Sequence, residues 1–159
     1  MPELTPPQLA RLTAAARDAA PLALLRAADA VARDATGRGL CTAMRFDAAT
    51  MTVQRIYTSA PDAYPLGGAK PKRDTDWGRQ VLLEKRVFVG QGDAAIRANF
   101  DDHAVILALG LHSVVNVPVV ARGECLGTLN VLWAEATVPP DHVALAELLG
   151  LLVAADLTR

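Results

Sequence analysis

The last third of the chain contains two apolar segments joined by a short turn, and this pair constrains the fold more than any other feature. Residues 112–120 are rich in β-branched side chains, and residues 125–133 form a second apolar segment. The four residues between them, 121–124, include a glycine and two charged residues, which is typical of a tight turn. The pattern predicts an antiparallel β-hairpin.

A helix is predicted after this hairpin, because Pro139 and Pro140 fit a first helical turn. Its apolar stripe contains Leu145, Leu148, Leu149 and Leu152. At the other end of the chain, Thr5 followed by Pro6 and Pro7 predicts the start of a first helix. A second helix is expected to run from about residue 22 to the glycine at position 37.

The middle of the chain supplies further strands. Residues 40–46 and 51–57 are predicted to pair through a turn at 47–50, and residues 86–89 indicate another strand. We therefore expect an α+β fold with a central antiparallel sheet of five or six strands, flanked by N- and C-terminal helices. Residues 1–21 are interpreted as an N-terminal helical extension, and residues 22–159 as one domain.

Composition excludes several classes of protein. The chain has 159 residues, of which 52% are hydrophobic, and its formal net charge is -1. This balance disfavours nucleic-acid binding, and there is no apolar run of the roughly 20 residues that cross a membrane. The N-terminal residues lack the pattern of a signal peptide, so we expect a cytoplasmic protein. Cys41 and Cys125 stand alone, without the spacing of a metal site.

Residues 59–74 form a long irregular stretch, which is uncommon inside a compact domain and is often functional. The two tyrosines of the chain are close to it, with Tyr57 two residues before it and Tyr64 within it. A tyrosine here could pack on a ligand while its hydroxyl forms a hydrogen bond, or it could pin the loop. The basic pair Lys72 and Arg73 could bind a carboxylate or phosphate, or could be a solvated surface pair.

The order of elements resembles the GAF domain family. The resemblance is carried by Ser113-Val114-Val115-Asn116-Val117-Pro118-Val119, by Gly123, by Leu126-Gly127-Thr128-Leu129-Asn130-Val131, and by the terminal helix. It covers roughly residues 22–157 and is shared in part by the related PAS fold. It implies a ligand pocket between one face of the sheet and the segment 59–100. Members of the family bind cyclic nucleotides, bilins, haem, amino acids or other metabolites.

The sequence departs from three specialised groups of the family. It has no Cys-His pair of the kind that bonds a bilin, and its two cysteines do not match the set of the free methionine sulfoxide reductases. The segment Asn99-Phe100-Asp101-Asp102 does not reproduce the signature of the cyclic-nucleotide-binding members. The cofactor or ligand is therefore unknown from sequence.

Six residues are the candidates for ligand binding: Tyr57, Tyr64, Arg73, Trp77, Asp101 and Asn116. Trp77 either lines the pocket or packs in the core. Asp101 and Asp102 belong to a potential acid/base cluster or cap a helix with their side chains. Asn116 and Asn130 interrupt apolar strands, and buried amides need partners, so each faces the pocket or bonds neighbouring groups. For Asn130 we favour a structural role. No catalytic residues are assigned.

These observations predict a small-molecule-binding sensor domain without recognisable enzymatic chemistry. Because no output domain is recognised, its signal is expected to pass through the terminal helices or to a separate output protein. The helix stripes Leu9-Leu12 and Leu145-Leu148-Leu149-Leu152 suggest a homodimer. Two alternatives stay open, namely a redox enzyme that uses Cys41 and Cys125, and a ligand-free interaction module that docks through residues 59–73.

Overall fold

The central element of the molecule is one antiparallel sheet of six strands. The structure is a computed structural model that describes residues 3–158. The strands are β1 (Leu40–Asp47), β2 (Thr52–Thr58), β3 (Lys70–Pro71), β4 (Phe88–Gln91), β5 (Ser113–Ala121) and β6 (Glu124–Trp133). The helices are α1 (Pro6–Ala16), α2 (Ala23–Thr36), α3 (Asp93–Asn99), α4 (His103–Ala108) and α5 (Pro140–Leu152). The strand order is β3-β2-β1-β6-β5-β4. The prediction of an α+β fold with a central antiparallel sheet of five or six strands and with N- and C-terminal helices is confirmed.

Local sequence explains where the first two helices begin and end. Thr5 caps α1 with a reciprocal pair of hydrogen bonds, in which its hydroxyl accepts from the backbone of Gln8 and the Gln8 side chain accepts from the Thr5 backbone. α2 ends at Gly37, whose φ of 66° belongs to the left-handed region that glycine adopts without strain. Both ends were predicted correctly from the sequence.

The terminal helices cover one face of the sheet, which we call the helix face. Its core is aliphatic, and α2 contributes Leu25 and Val31 while α5 contributes Leu145 and Leu149. Leu12 of α1 is also buried in this cluster. Leu12, Leu145 and Leu149, three members of the predicted dimer stripes, are therefore used inside the monomer.

A bulge in the first hairpin changes which face a side chain occupies. Ala43 pairs with Tyr57, but the next residue, Met44, pairs with Arg55, so Ile56 is an extra residue in β2. Simple alternation would place Tyr57 on the same face as Arg55. Because of the bulge, Tyr57 instead lies on the helix face and Arg55 on the opposite one.

A second bulge shifts the register of the predicted C-terminal hairpin. β5 and β6 pair along their length, and the register changes between Val119 and Val120. Beyond the bulge, Asn116 lies opposite Asn130, and Asn130 lies opposite Thr42 of β1. Three polar residues of neighbouring strands thus form one row across the sheet.

The middle segment holds elements that the sequence analysis did not assign. The irregular stretch contains a two-residue strand, β3, and Trp77 is followed by a π-helical turn, Gly78–Leu83. β4 includes Gly90 and Gln91, two residues beyond the end of the strand predicted at 86–89. Gly92 holds the position that precedes α3, and the Asp93 carboxylate contacts His112.

Within residues 3–158, none of the helices combines the length and the apolar character that a membrane crossing needs.

Candidate functional site

A small cavity lies on the face of the sheet opposite the terminal helices. Its volume is about 70 Å³. The sheet forms its floor, the segments around Trp77 and Phe100 form its walls, and the loop of residues 59–69 covers it. Ligand clefts for drug-sized molecules enclose roughly 300–1,000 Å³, so this cavity holds only a few non-hydrogen atoms unless the covering loop moves.

The row of polar residues forms the floor. The Trp77 indole donates to Asn116 Oδ1 at 3.0 Å, Asn116 Nδ2 donates to Asn130 Oδ1 at 2.7 Å, and Asn130 Nδ2 donates to Thr42 Oγ1 at 3.1 Å. All four side chains are buried. We call these four residues the polar row.

The polar row has a fixed direction. An indole N–H can only donate, so Asn116 must turn its oxygen to Trp77 and its amino group to Asn130. Asn130 must then present its own oxygen to Asn116 and its amino group to Thr42. The donor-only indole of Trp77 therefore determines the orientation of both asparagine amides.

The covering loop is held closed by Tyr64, which is 9% exposed. Its hydroxyl donates to Asp102 Oδ2, at the start of α4. Burial raises the pKa of this phenol, and the hydrogen bond to Asp102 raises it further, so the proton stays on tyrosine. Thr58 also donates to the Tyr64 carbonyl at 2.7 Å, which ties the loop to the end of β2.

Arg55 reinforces this closure from the floor. Its guanidinium carbon lies 3.9 Å from the centroid of the Tyr64 ring, and its Nη1 donates to the Pro65 carbonyl at 2.6 Å. Its Nη2 lies 3.7 Å from Asp102 Oδ2. One arginine thus contacts the loop and the carboxylate that receives the tyrosine hydroxyl.

Asp102 does not cap α4 with its side chain, contrary to the capping alternative considered from sequence. Its carboxylate is occupied by Tyr64 and Arg55 instead. Neighbouring Asp101 is exposed and lies 3.6 Å from Lys70. Although desolvation acts in the opposite direction, Lys70 and Lys72 lower the pKa of Asp101, so it is a carboxylate at neutral pH.

Four of the six candidate residues lie around the cavity, namely Tyr64, Trp77, Asp101 and Asn116. Arg73 is exposed and is not part of the lining; its neighbour Lys72 lines the cavity instead. Lys72 directly follows β3, whereas Arg73 lies in the turn after it, so the sequence could identify the basic pair but not its inward member.

Tyr57, the remaining candidate, lies across the sheet from the cavity. Its hydroxyl donates to Asp29 of α2 at 2.5 Å, and Arg38 donates to the other oxygen of that carboxylate at 2.7 Å. Burial, followed by the hydrogen bond to Asp29, raises the pKa of Tyr57. The β2 bulge is the physical reason for this placement, and it makes Tyr57 a link between the sheet and α2.

Arg55, Thr42 and Asn130 are lining residues that the sequence analysis did not assign to the site. A signal for Asn130 was present, because it is the second asparagine within an apolar hairpin. Thr42 and Arg55 gave no signal, since threonine and alternating arginine are ordinary in a half-exposed strand.

The two cysteines lie far apart. Cys41 packs in the helix-face core, and its strand partner in β6 is Val131. Cys125 lies on the other face near Val53 and Trp77, and it precedes Val131 by six positions in β6. Six residues of strand span about 20 Å. Burial raises the pKa of both thiols, which disfavours the reactive thiolate. This geometry does not support paired redox chemistry.

No protein-family model matches the sequence, and no curated protein does. Solved structures do match its fold. The GAF domain of a two-component sensor histidine kinase from Bacillus halodurans is 13% identical, with a TM-score of 0.69, over 84% of this chain and 90% of that one. The GAF domain of a phosphoenolpyruvate-protein phosphotransferase from Coxiella burnetii is 18% identical, with a TM-score of 0.70, over 94% and 91%.

A third similar structure is the phycoerythrobilin-bound GAF domain of a cyanobacterial phytochrome. It is 19% identical to this chain, with a TM-score of 0.67, over 94% of this chain and 92% of that one. At these identities the likeness concerns the fold.

Proposed function

We propose that this chain, which has the GAF fold, is a sensory domain that binds a small molecule in the cavity beneath residues 59–69. The observation that carries the proposal is a cavity with a buried, hydrogen-bonded floor and a loop held over it by the hydrogen bond between Tyr64 and Asp102. Buried polar groups that face a cavity are typical of sites that orient a ligand. Among the similar structures, one is the GAF domain of a sensor histidine kinase and another is a GAF domain with bound phycoerythrobilin, which supports a sensory, ligand-binding role.

The volume limits the ligand. A cavity of about 70 Å³ does not accommodate a pigment such as the phycoerythrobilin named for one similar structure. The chain also lacks a Cys-His pair for covalent attachment. We therefore propose a metabolite of a few non-hydrogen atoms as the ligand.

A chain of hydrogen bonds links the covering loop to α2, and through it ligand binding would act on the terminal helices. The covering loop follows β2, and Thr58 holds Tyr64 from the end of that strand. Tyr57, the preceding residue, donates to Asp29 of α2. A ligand held beneath Tyr64 would therefore act on a strand end that is bonded directly to a helix.

Native mass spectrometry of the purified protein tests the binding proposal. We expect an adduct of small mass that is lost on denaturation. The substitution Tyr64→Ala removes both the cover and the bond to Asp102, and we expect it to lower occupancy at least tenfold, which corresponds to about 1.4 kcal/mol. Leu66→Ala is the matched control, since Leu66 is exposed in the same loop and does not line the cavity.

Equal occupancy in wild type and Tyr64→Ala would place the adduct outside the cavity and contradict the proposal. If there is no adduct, and no compound of a small-metabolite library raises the melting temperature, the proposal fails as well. The interaction module would then be favoured if a pull-down with this chain captures a partner protein and if shortening residues 59–73 abolishes that capture.

We also propose that a second copy of the chain covers the outer face of α5. The outer side of this helix carries Leu151 and Leu152, which are 68% and 37% exposed, whereas Leu148 packs partly against the helix-face core. Neighbouring apolar side chains exposed on one helix face are typical of an interaction surface. The same leucine-rich face presented by two copies is self-complementary, as a two-fold interface requires.

Size-exclusion chromatography with light scattering tests this assembly. We expect a dimer for the wild type at about 10 μM and a monomer for Leu151→Glu, since a charge at the centre of an apolar interface opposes association. Leu83→Glu, which changes an exposed leucine on a different element, should remain dimeric. A monomeric wild type would contradict the proposal.

A further inference from the structure

The charges that line the cavity do not balance. Three cations and two carboxylates face it, and two of the cations are matched. Arg55 lies 3.7 Å from Asp102, and Lys70 lies 3.6 Å from Asp101. Within residues 3–158, no carboxylate oxygen lies within 4.0 Å of the Lys72 ammonium. The cavity therefore carries one positive charge without a close partner.

The surroundings of Lys72 disfavour that charge. The side chain is partly buried, and its ammonium lies 5.2 Å from the centroid of the Trp77 ring. Desolvation lowers the pKa of Lys72, and Lys70 lowers it further, while Asp101 and Asp102 act in the opposite direction. A bound anion would relieve this cost, since a nearby opposite charge stabilises the ammonium.

The floor offers hydrogen-bond donors. Each asparagine of the polar row uses one amino hydrogen within the row and keeps a second. The Thr42 oxygen accepts from Asn130, and its hydroxyl hydrogen has no acceptor among the described residues. Both asparagine oxygens already accept one bond each. The three hydrogens that the floor does not use within the row are therefore available to an acceptor in the cavity.

From these observations we infer that the cavity binds a small monocarboxylate, whose oxygens accept from Thr42 and the two asparagines and whose charge is balanced by Lys72. This inference rests on the proposed function and names its ligand class. A phosphate group carries about -1.5 to -2 charges at neutral pH, which a single unmatched cation next to two carboxylates does not balance. The small volume likewise favours a molecule the size of a short-chain acid.

The indole N–H of Trp77 is a direct reporter, because it bonds the first member of the polar row. In a ¹H–¹⁵N spectrum, the two tryptophan indole signals can be assigned with Trp133→Phe, which alters the helix-face core only. Sodium acetate is the probe, and acetamide is its uncharged isostere, both titrated at constant ionic strength. We expect acetate alone to shift the Trp77 signal saturably, at concentrations below about 100 mM.

Lys72→Met should weaken acetate binding at least tenfold, whereas Arg73→Met, which removes the adjacent exposed charge, should change it less than about twofold. The spectrum itself reports whether each variant is folded. If Lys72→Met does not fold, Thr42→Val provides the second test, since it removes a floor donor at nearly constant volume. We expect it to weaken acetate binding about fivefold to tenfold.

Three results would overturn the inference: no saturable shift with acetate, an equal response to acetamide, or a response to inorganic phosphate without one to acetate. The proposed function is judged separately. If the native adduct depends on Tyr64 while acetate does not bind, the cavity is a binding site for another class of molecule. If neither the adduct nor acetate binding is found, both proposals fail.

Discussion

Replacing Gly127 with alanine is expected to destabilise the protein by about 3 kcal/mol or more, the largest effect of a single methyl group that we anticipate. A Cβ at this position would overlap the carbonyl oxygen of Met44 and would lie 2.9 Å from its carbonyl carbon. It would also lie 2.7 Å from Leu157 Cδ2. The obstructing group is backbone of the paired strand β1, so no rotamer change can relieve the overlap.

Urea denaturation with the unfolding free energy as readout measures this effect. Gly67→Ala is the matched control, because an added Cβ there meets no atom within 4 Å. We expect the control to change stability by less than about 0.5 kcal/mol. A Gly127→Ala variant as stable as the control would mean that β1 and β6 approach less closely than described.

The second large effect is expected for Asn116→Asp, which preserves shape but reverses one hydrogen bond of the polar row. The new carboxylate still accepts from Trp77, but it places a second acceptor against Asn130 Oδ1, at the position of a 2.7 Å bond. It is also a desolvated charge in a buried site, and Lys72 in the same cavity offsets only part of that cost. We expect a loss of about 3 kcal/mol at neutral pH.

The direction of the pH dependence follows from the same contacts. Burial and the facing oxygen of Asn130 disfavour the charged form more than the Lys72 charge in the same cavity favours it, so we expect a raised pKa for the introduced carboxyl in the folded state. Its protonated form can donate to Asn130 and restore the row. The stability deficit against wild type should therefore shrink as pH falls through the raised pKa, and it should be complete at higher pH.

Asn99→Asp is the isosteric control, because Asn99 is only partly buried and bonds one backbone carbonyl of its own helix. We expect a deficit below about 1 kcal/mol for it at neutral pH. A deficit of Asn116→Asp that does not shrink in acid would contradict the assigned direction of the polar row.

The sequence predicted the elements whose signals are local. Thr5 with two following prolines, Gly37 after an apolar stripe, and two β-branched segments around a glycine turn each identify an element from neighbouring residues. These signals sufficed for the fold class, since strands that pair through short turns between terminal helices leave few arrangements. The two-residue strand β3 and the π-helical turn after Trp77 carry no comparable local signal.

Which side chains meet at the site depends on the register of the strands, and register is set by contacts between residues that are far apart in sequence. Asn116 meets Asn130 only because of the bulge between Val119 and Val120, and Tyr57 leaves the cavity face only because of the extra residue Ile56. A bulge that inserts a single residue exchanges the two faces of a strand, and hydrophobic pattern alone rarely reveals it. The sequence therefore identified the right region and several of its side chains, but not their partners.

The polar row has a thermodynamic consequence for binding. An asparagine amide on a protein surface rotates freely and must be ordered by whatever binds it, at the cost of rotamer entropy. Here the donor-only indole of Trp77 sets Asn116, Asn116 sets Asn130, and the order of all three is established when the chain folds. A ligand that docks on this floor gives up its own freedom and very little of the protein's.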